Sequence, residues 1–518
     1  MTTLDVEVRG QDVNATGRVL APITLQLVYG QQAVPLSLDG LYNYNSSSRS
    51  PLFSLPAASN LSVSVALCAD ATSLPRFFVT NDSTIPHPSQ QYLGVSDVYE
   101  ITLNDGYGQW SGIMDNGGYL AVTNAQVPFE VGASDQGECS LRPLHTLDDI
   151  DISLPLLGDT TSNQALLFSP PIASAPVPEN PSYPNYTLSS ANLSYPVGPS
   201  SPLGVTLSIF PTSSSSLSSL PRTGCALRNS STEGFVNVGA KESEGLWLKN
   251  DDGWRWQWVV NGLQPQTNYT VFAVTNGTHV SGPINFVTKS GKSPTVTKTC
   301  TTHLTLVSPH SAAFSCPIVH SLPYCPSINY AVPITPPSNI NKVHDANTLP
   351  SDVTDPLLQT LTNFTVSLTT FPCGRDDYSP LVTCADCQRA YRKWLCTVWF
   401  PRCSESSPST SLSANSATNT AQQPVSAIQA LPASATPRSP GLQPFASSYD
   451  ALLPCLETCT AADRACPIFL GFKCPLPRFN AASSYGVGFI DSGQDGQQGG
   501  GLTGVAQDRY GNVWCNEG

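Results

Sequence analysis

Through residues 1–156, apolar positions alternate with polar ones, as in VLAPITLQLVYG, NLSVSVALCAD and VYEITLNDGYGQW with its Asp-Gly turn. Strand side chains alternate between faces, so this period predicts half-buried strands. GGYLAVTNAQVPFEVGASD predicts two more. Short strands between Gly and Asn turns predict an all-β, sandwich-like N-terminal region over 1–156. From 157 to 203 the pattern dissolves into Pro and Ser, in SPPIASAPVPENPSYPNYTLSSANLSYPVGPSSP, which reads as a linker. Strand periodicity returns over 204–290, in GVTLSIF, GLWLKN, WRWQWVV, NYTVFAVTNG and INFVTKS, and predicts a second sandwich-like β unit.

The period then changes. Over 291–403, Leu357, Leu358, Leu361, Phe364 and Leu368 recur at helical spacing, with Asp355 and Pro356 suited to the cap and first turn. TCADCQRAYRKWLCTVWFPRC, starting at Thr383, predicts a second amphipathic helix. Cys384, Cys387, Tyr391, Trp394, Leu395, Val398 and Trp399 form its apolar face, and Gln388, Arg389, Arg392 and Lys393 point elsewhere. Pro401 ends it. Residues 404–448 are Ser-, Pro- and Ala-rich with almost no charge, the composition of a disordered insertion. Helical, cysteine-spaced sequence resumes over 449–518, in LLPCLETCTAADRACPIFLGFKCP.

Composition sharpens this outline. The 518-residue chain carries 16 cysteines, at Cys68, Cys139, Cys225, Cys300, Cys316, Cys325, Cys373, Cys384, Cys387, Cys396, Cys403, Cys455, Cys459, Cys466, Cys474 and Cys515. Their even number and late clustering predict a disulfide-rich helical module behind a cysteine-poor β region, with connectivity left open. Cys68 and Cys139 are the candidate crosslink of the first β region. Asn-x-Ser/Thr sequons begin at Asn14, Asn45, Asn60, Asn81, Asn185, Asn192, Asn229, Asn268, Asn276 and Asn363. Together with the cysteines they predict an N-glycosylated, exported protein. The opening MTTLDVEVRG has no apolar leader core, so export is inferred from those features and not from the first residues. No stretch has the length and apolarity of a membrane span, so membrane association is expected through a partner. The formal charge of −13 argues against nucleic acid, whose phosphates it would repel.

Candidate chemistry is sparse. Cys384, Cys387, Cys396 and Cys403 have the donor type for zinc, but no second close Cys-x-x-Cys accompanies the first. Cys384-x-x-Cys387 at a helix start has redox spacing without the βαβ context that such a pair requires. Neither G-x-S-x-G nor H-E-x-x-H is present, and no phosphate loop or EF-hand, so no enzyme, cofactor or metal is expected. Asp376 and Asp377 read as a solvated loop. Trp254, Trp256 and Trp258 share one strand face, a pattern of β core that also suits a carbohydrate platform. What remains is binding. Arg389, Arg392, Lys393, Trp394 and Trp399 on a stapled helix are a candidate partner surface, because rigid Trp and Arg dominate interface energetics.

Two resemblances follow. GLQPQTNYTVFAV, with Leu263, Pro265 and Tyr269, is similar to a strand entry of fibronectin type III domains. More extensively, LPYCPSINYAVP, TTFPCGRDDYSPLVTCADCQRAYRKWLCTVWFPRC, LLPCLETCTAADRACPIFLGFKCP and DRYGNVWCN resemble the fungal mating-induced-death family, the stretch-activated calcium channel components. That resemblance implies a glycosylated accessory subunit on the extracellular face of the plasma membrane. Its partner would be the large four-repeat, voltage-gated-like calcium channel pore subunit, and it would support calcium influx under stress or mating. It also implies a frizzled-like fold for the cysteine-rich module and a structural role for Cys373 to Cys515. The alternative class is a cell-surface carbohydrate-binding or cell-wall adhesion glycoprotein.

Overall fold

The computed structural model describes residues 8–10, 33–45, 50–94, 97–135, 143–148, 153–176, 186–195, 197–200, 202–215, 217–230, 234–249, 253–291, 314–339, 343–405, 428–476, 480–486 and 515–518. Asn14, Cys139, Asn185 and Cys300 lie outside them. A mixed β-sheet N-terminal region and a helical, disulfide-rich C-terminal region are present. The chain interleaves them into two compact units. One comprises Met1–Pro155, Leu203–Lys241 and Thr270–Ile284; the other comprises Leu156–Pro202, Glu242–Tyr269 and Asn285–Gly518.

In the first unit, a five-stranded sheet runs Val34–Pro35, Leu52–Leu55, Gly118–Thr123, Arg76–Thr80, Val98–Ile101. A three-stranded sheet runs Phe129–Asp135, Ala58–Leu67, Tyr107–Met114. One core draws on both: Leu61, Val63, Val65 and Phe129 from the smaller sheet, Phe53, Phe77, Val79, Leu120 and Val122 from the larger. The alternation in GYLAVT is realised, with Leu120 and Val122 inward. Another sheet contains Thr146–Asp148, paired in parallel with the start of His279–Val287, and Val205–Pro211, paired with Val236–Gly239. Short helix α1, Gly224–Arg228, is capped by the Thr223 hydroxyl, which accepts from Ala226 N–H. It is tied by Cys225 to Cys68 at the end of the long central strand. The expected Cys68–Cys139 crosslink is therefore corrected: Cys68 pairs across 157 residues with Cys225, because α1 packs against that strand end. Of residues 204–290, expected as a second β unit, Leu203–Lys241 and Thr270–Ile284 fall in the first compact unit and Glu242–Tyr269 in the second.

In the second unit, Leu156–Thr160, Gln164–Phe168, Trp254–Asn261 and Gly245–Leu248 form a four-stranded sheet in that order. The linker expected over 157–203 thus opens with two strands, and Leu166 and Phe168 are fully buried. Pro and Ser dominate only its later part. Helix α2, Ser351–Leu368, starts four residues before the expected Asp355 cap and contains Pro356 in its interior. Val353 and Leu357 are buried on the same face and extend the helix backwards, while Pro356 is exposed, so its ring faces solvent. Helix α3 spans Cys384–Trp399 and α4 spans Leu456–Ala465. A small sheet orders Arg402–Ser404, Tyr449–Leu452 and Ile428–Leu431. The disordered insertion expected over 404–448 is corrected for its second half. Ile428–Leu431 pairs with Tyr449–Leu452, Leu442 and Phe445 are buried, and Gly441 lies against the Trp399 indole, where a Cβ would come within 2.2 Å. Apolar anchors override composition there.

A tyrosine corner recurs in each unit. Tyr42 Oη accepts from Ser37 N–H at 3.1 Å, and Tyr269 Oη accepts from Gln264 N–H at 2.8 Å. Each loop turns through a left-handed residue three positions before the tyrosine, Asp39 (φ 56°) or Gln266 (φ 50°), and begins with a buried leucine, Leu36 or Leu263.

The sheet of the second unit is keyed to its cysteine-rich part by a buried carboxylate. At a bulge in Leu156–Thr160, Asp159 Oδ1 accepts from Lys289 Nζ at 2.9 Å, and Oδ2 accepts from Arg402 Nε at 3.0 Å and Ala331 N–H at 3.1 Å. Arg402 also donates to Gly158 O and lies over the Tyr330 ring. Burial alone would raise the Asp159 pKa; Arg402, Lys289 and the hydrogen bonds outweigh it and hold the carboxyl below its usual range. A depressed folded-state pKa contributes stability that is complete above the unfolded value of about 4 and is lost as pH falls through the folded one. Asp159→Asn is expected to cost about 3–5 kcal/mol at pH 7, because it leaves buried Arg402 and partly buried Lys289 without their carboxylate. It is also expected to flatten the loss of stability below pH ~4. Urea denaturation of both proteins at pH 7 and pH 3 checks this.

Candidate functional site

The site is built on α3. Thr383 and Asp386 form a capping box: the Asp386 carboxylate accepts from Thr383 N–H at 2.7 Å, and the Thr383 hydroxyl accepts from Asp386 N–H. From this start the helix sends its cysteines in different directions. Cys384 bonds Cys373 beyond the end of α2, Cys387 bonds Cys466 at the end of α4, and Cys396 bonds Cys325. Just past the helix, Cys403 bonds Cys316. Cys455 and Cys459 of the α4 region bond Cys515 and Cys474. The four thiols weighed as zinc donors therefore go to four separate partners and do not converge. Cys384 and Cys387 are not a redox pair. Among the described residues two groups bring metal-type ligands together, Cys68, Glu130, Cys225 and Cys455, Glu457, Cys515. In each, two ligands are the sulfurs of one disulfide, which leaves a single carboxylate. Asp376 pairs with the neighbouring Arg375 on the surface.

The polar face of α3 is not the surface that its sequence suggests. Gln388 and Arg392 are buried. Arg392 donates to the carbonyls of Ala191 at 2.8 Å, Ser190 at 2.9 Å and Tyr324 at 3.1 Å; Gln388 donates to Ser189 O at 2.8 Å and Thr365 Oγ1 at 2.9 Å. Burial lowers the Arg392 pKa to about 10, so the guanidinium stays charged at neutral pH while bonded only to neutral oxygens. Arg392 is therefore a structural clamp that holds the 189–191 segment against the helix, which corrects its assignment to a partner surface. Trp399 is corrected in the same way: it is buried and its Nε1 donates to Val353 O at 3.1 Å. The stripe Cys384, Gln388, Arg392, Cys396 advances four residues at a time between two buried cysteines, and that spacing is the sequence signal for the clamp.

Arg389 and Lys393 do face solvent, with side chains 54% and 41% exposed. Arg389 is ion-paired with Asp386, and Lys393 lies 3.6 Å from Glu517. The same helix also carries part of a half-exposed aromatic cluster. Phe364 of α2 stacks on Tyr391 of α3 with ring centroids 3.5 Å apart. Trp394 is tilted against Tyr391 at 5.3 Å and meets Phe472 edge-on at 4.8 Å. The Trp394 Nε1 donates to Tyr485 Oη at 2.9 Å, which fixes the indole. Phe472 and Tyr485 were not anticipated, because both come from irregular segments without periodicity.

The other candidates separate clearly. Trp254 and Trp258 are buried and Trp256 is half-buried, so this strand supplies core and no open indole platform. Of the described sequon asparagines, Asn45, Asn192, Asn229 and Asn363 are exposed, and Asn60, Asn81, Asn268 and Asn276 are half-buried. No described helix is long and apolar enough to cross a membrane.

The model of the Mid1 family, described as stretch-activated Ca2+-permeable channel component, matches residues 64–499. The chain belongs to this family. It is 35% identical over 465 residues to the stretch-activated cation channel MID1 of Cryptococcus neoformans, covering 80% of this chain and 69% of that protein. It is 26% identical over 233 residues to the stretch-activated cation channel yam8 of Schizosaccharomyces pombe, covering 44% and 40%. It is 30% identical over 167 residues to MID1 of Saccharomyces cerevisiae, covering 31% and 26%. Among solved structures, the FN1–FN3 domains of chicken CNTN1 align with a TM-score of 0.15 at 11% identity, over 50% of this chain and 68% of that one. A two-domain fibronectin type III segment of chicken tenascin aligns with a TM-score of 0.14 at 12% identity, over 46% and 97%. Membership gives this Mid1-family protein a regulatory, calcium-channel-related role with no enzymatic activity, and an extracellular or plasma-membrane-associated location.

The clamp and the surface pair make opposite predictions. Arg392→Ala strands the buried carbonyls of Ala191 and Tyr324 and frees the partly exposed one of Ser190, and is expected to cost on the order of 3 kcal/mol. Arg389→Ala removes an exposed pair and is expected to change stability by less than about 1 kcal/mol. Thermal unfolding of the two secreted variants distinguishes them.

Proposed function

We propose that this protein is the extracellular regulatory subunit of a fungal plasma-membrane calcium channel. In this reading it binds the large four-repeat, voltage-gated-like pore subunit and supports calcium influx under stress or mating. The observation that carries the reading is the disulfide-locked α3 surface in a Mid1-family chain. Phe364, Tyr391, Trp394 and Phe472 are held rigid and half-exposed, and the same helix exposes the Arg389 and Lys393 side chains. Rigid aromatic side chains lose little entropy on binding, and flanking cations steer encounter with an acidic surface.

The same reading gives the β region a sandwich-like arrangement, supported by the tyrosine corners and by one core fed from two sheets. It gives the cysteine-rich module a frizzled-like fold and the chain a secretory route with N-glycans on its sequons. Among the described sequons, the four exposed asparagines are the most accessible acceptors. The carbohydrate-adhesion alternative, motivated by this tryptophan strand and by glycine-rich acidic turns, loses the first of these, because Trp254 and Trp258 are buried.

Gentle-detergent purification of the tagged protein from fungal membranes is expected to recover the pore polypeptide. Trp394→Ala combined with Lys393→Glu is expected to reduce that recovery at least tenfold with secretion intact. Unchanged recovery would exclude the α3 surface, and absence of any large channel polypeptide with the wild type would exclude the function.

A further inference from the structure

One end of the cysteine-rich module exposes large apolar side chains that its own fold leaves uncovered. Ile468 is 85% exposed, Phe469 50% and Leu381 89%. Ile468 and Phe469 lie on a single 3-10 turn, Ile468–Leu470, between Pro467 at its start and Gly471, left-handed at φ 65°, at its end. The turn is bracketed by two disulfides, Cys387–Cys466 and Cys459–Cys474. Behind it, Phe469 stacks on Phe371 at 5.9 Å, and Leu470 packs into the cluster around Cys384 and Cys387. Tyr378 Oη lies 2.7 Å from the carbonyls of both Thr383 and Ala465, so the loop that carries Leu381 is fastened beside the same disulfide. These side chains are presented on a rigid mount.

We infer that the Pro467–Gly471 turn is an interaction knob that inserts Ile468 and Phe469 into an apolar, carboxylate-rimmed pocket on the extracellular face of the pore-forming subunit. This rests on the function proposed above and specifies a second contact for it. Charge selects the rim. In sequence, Arg464 and Lys473 flank the turn in a chain of net charge −13 and outnumber the one carboxylate near it, Asp463, and among the described residues no ion pair joins either to a carboxylate. Size selects a protein pocket over lipid. A myristoyl chain, with more methylenes than these side chains together, gives membrane association of only about 10⁴ M⁻¹. A rigid aromatic-aliphatic pair entering a dry pocket is, by contrast, the anatomy of an interface hot spot. Self-association is disfavoured because two convex tips of like charge would face each other across a two-fold axis.

The test uses the full chain with its channel. Ile468→Glu replaces an exposed side chain, so secretion and disulfide content are expected to stay at the wild-type level while co-purified pore polypeptide falls at least tenfold. Ile468→Leu is expected to retain it. Equal recovery with Ile468→Glu overturns the inference while the proposed function stands. Failure of the wild type to recover the pore polypeptide overturns the function on which it rests. Flotation of the wild type with protein-free phosphatidylcholine vesicles, abolished by Ile468→Glu, overturns the inference in favour of lipid. A wild-type dimer in sedimentation velocity that Ile468→Glu converts to monomer overturns it in favour of a second copy.

Discussion

The cysteine-rich module depends on one constraint: α3 is crosslinked at once to segments before and after it in the sequence. Its three cysteines, with Cys403 beyond its end, reach back to Cys316, Cys325 and Cys373 and forward to Cys466. Three of these four bonds close loops of 71 to 87 residues. Loops of that size remove roughly 4 kcal/mol each from the unfolded state in the chain-entropy account. That support matters because much of the module is irregular backbone, with three helices and a few short strands among its described elements. The helix is thus a post around which loops are fastened, and the aromatic and apolar side chains those loops carry are presented in fixed positions.

Polar clamps complete what the disulfides begin. Arg392 and Gln388 collect the carbonyls of 189–191, and Asp159 collects Arg402, Lys289 and the Ala331 N–H. Both bind segments far apart in sequence, Asp159 and Arg402 being 243 residues apart. They specify one arrangement more than they add net stability, since an ion taken out of water recovers only part of its hydration. Buried clamps and exposed knobs thereby divide the basic and aromatic residues of the module. Arg392 and Trp399 build it; Arg389, Lys393 and Trp394 are left on its surface.

Legibility in the sequence followed the range of the interaction. Alternation in GYLAVT and the three-to-four spacing from Cys384 to Trp399 are local, and both elements form where that spacing predicts them. Asp355–Pro356 is a good local cap, yet α2 starts at Ser351, because burial of Val353 and Leu357 decides its start through tertiary packing. Composition does not reveal the order of 428–448, because it averages over residues, and Leu442, Phe445 and Gly441 are few but fit specific partners. Disulfide partners, such as Cys225 for Cys68, have no local signature. For the site, the helix and Trp394 were legible. Arg392 was not, because an arginine on a helix is ordinarily solvated and only its place in the four-residue stripe between Cys384 and Cys396 marks it as buried.

The most direct test of the crosslinked post is disulfide mapping of the native, secreted protein digested without reduction. The account predicts four separate linked peptides joining Cys384 to Cys373, Cys387 to Cys466, Cys396 to Cys325 and Cys403 to Cys316. A Cys384–Cys387 bond, or the four sulfurs recovered as free or zinc-bound thiols, would contradict it.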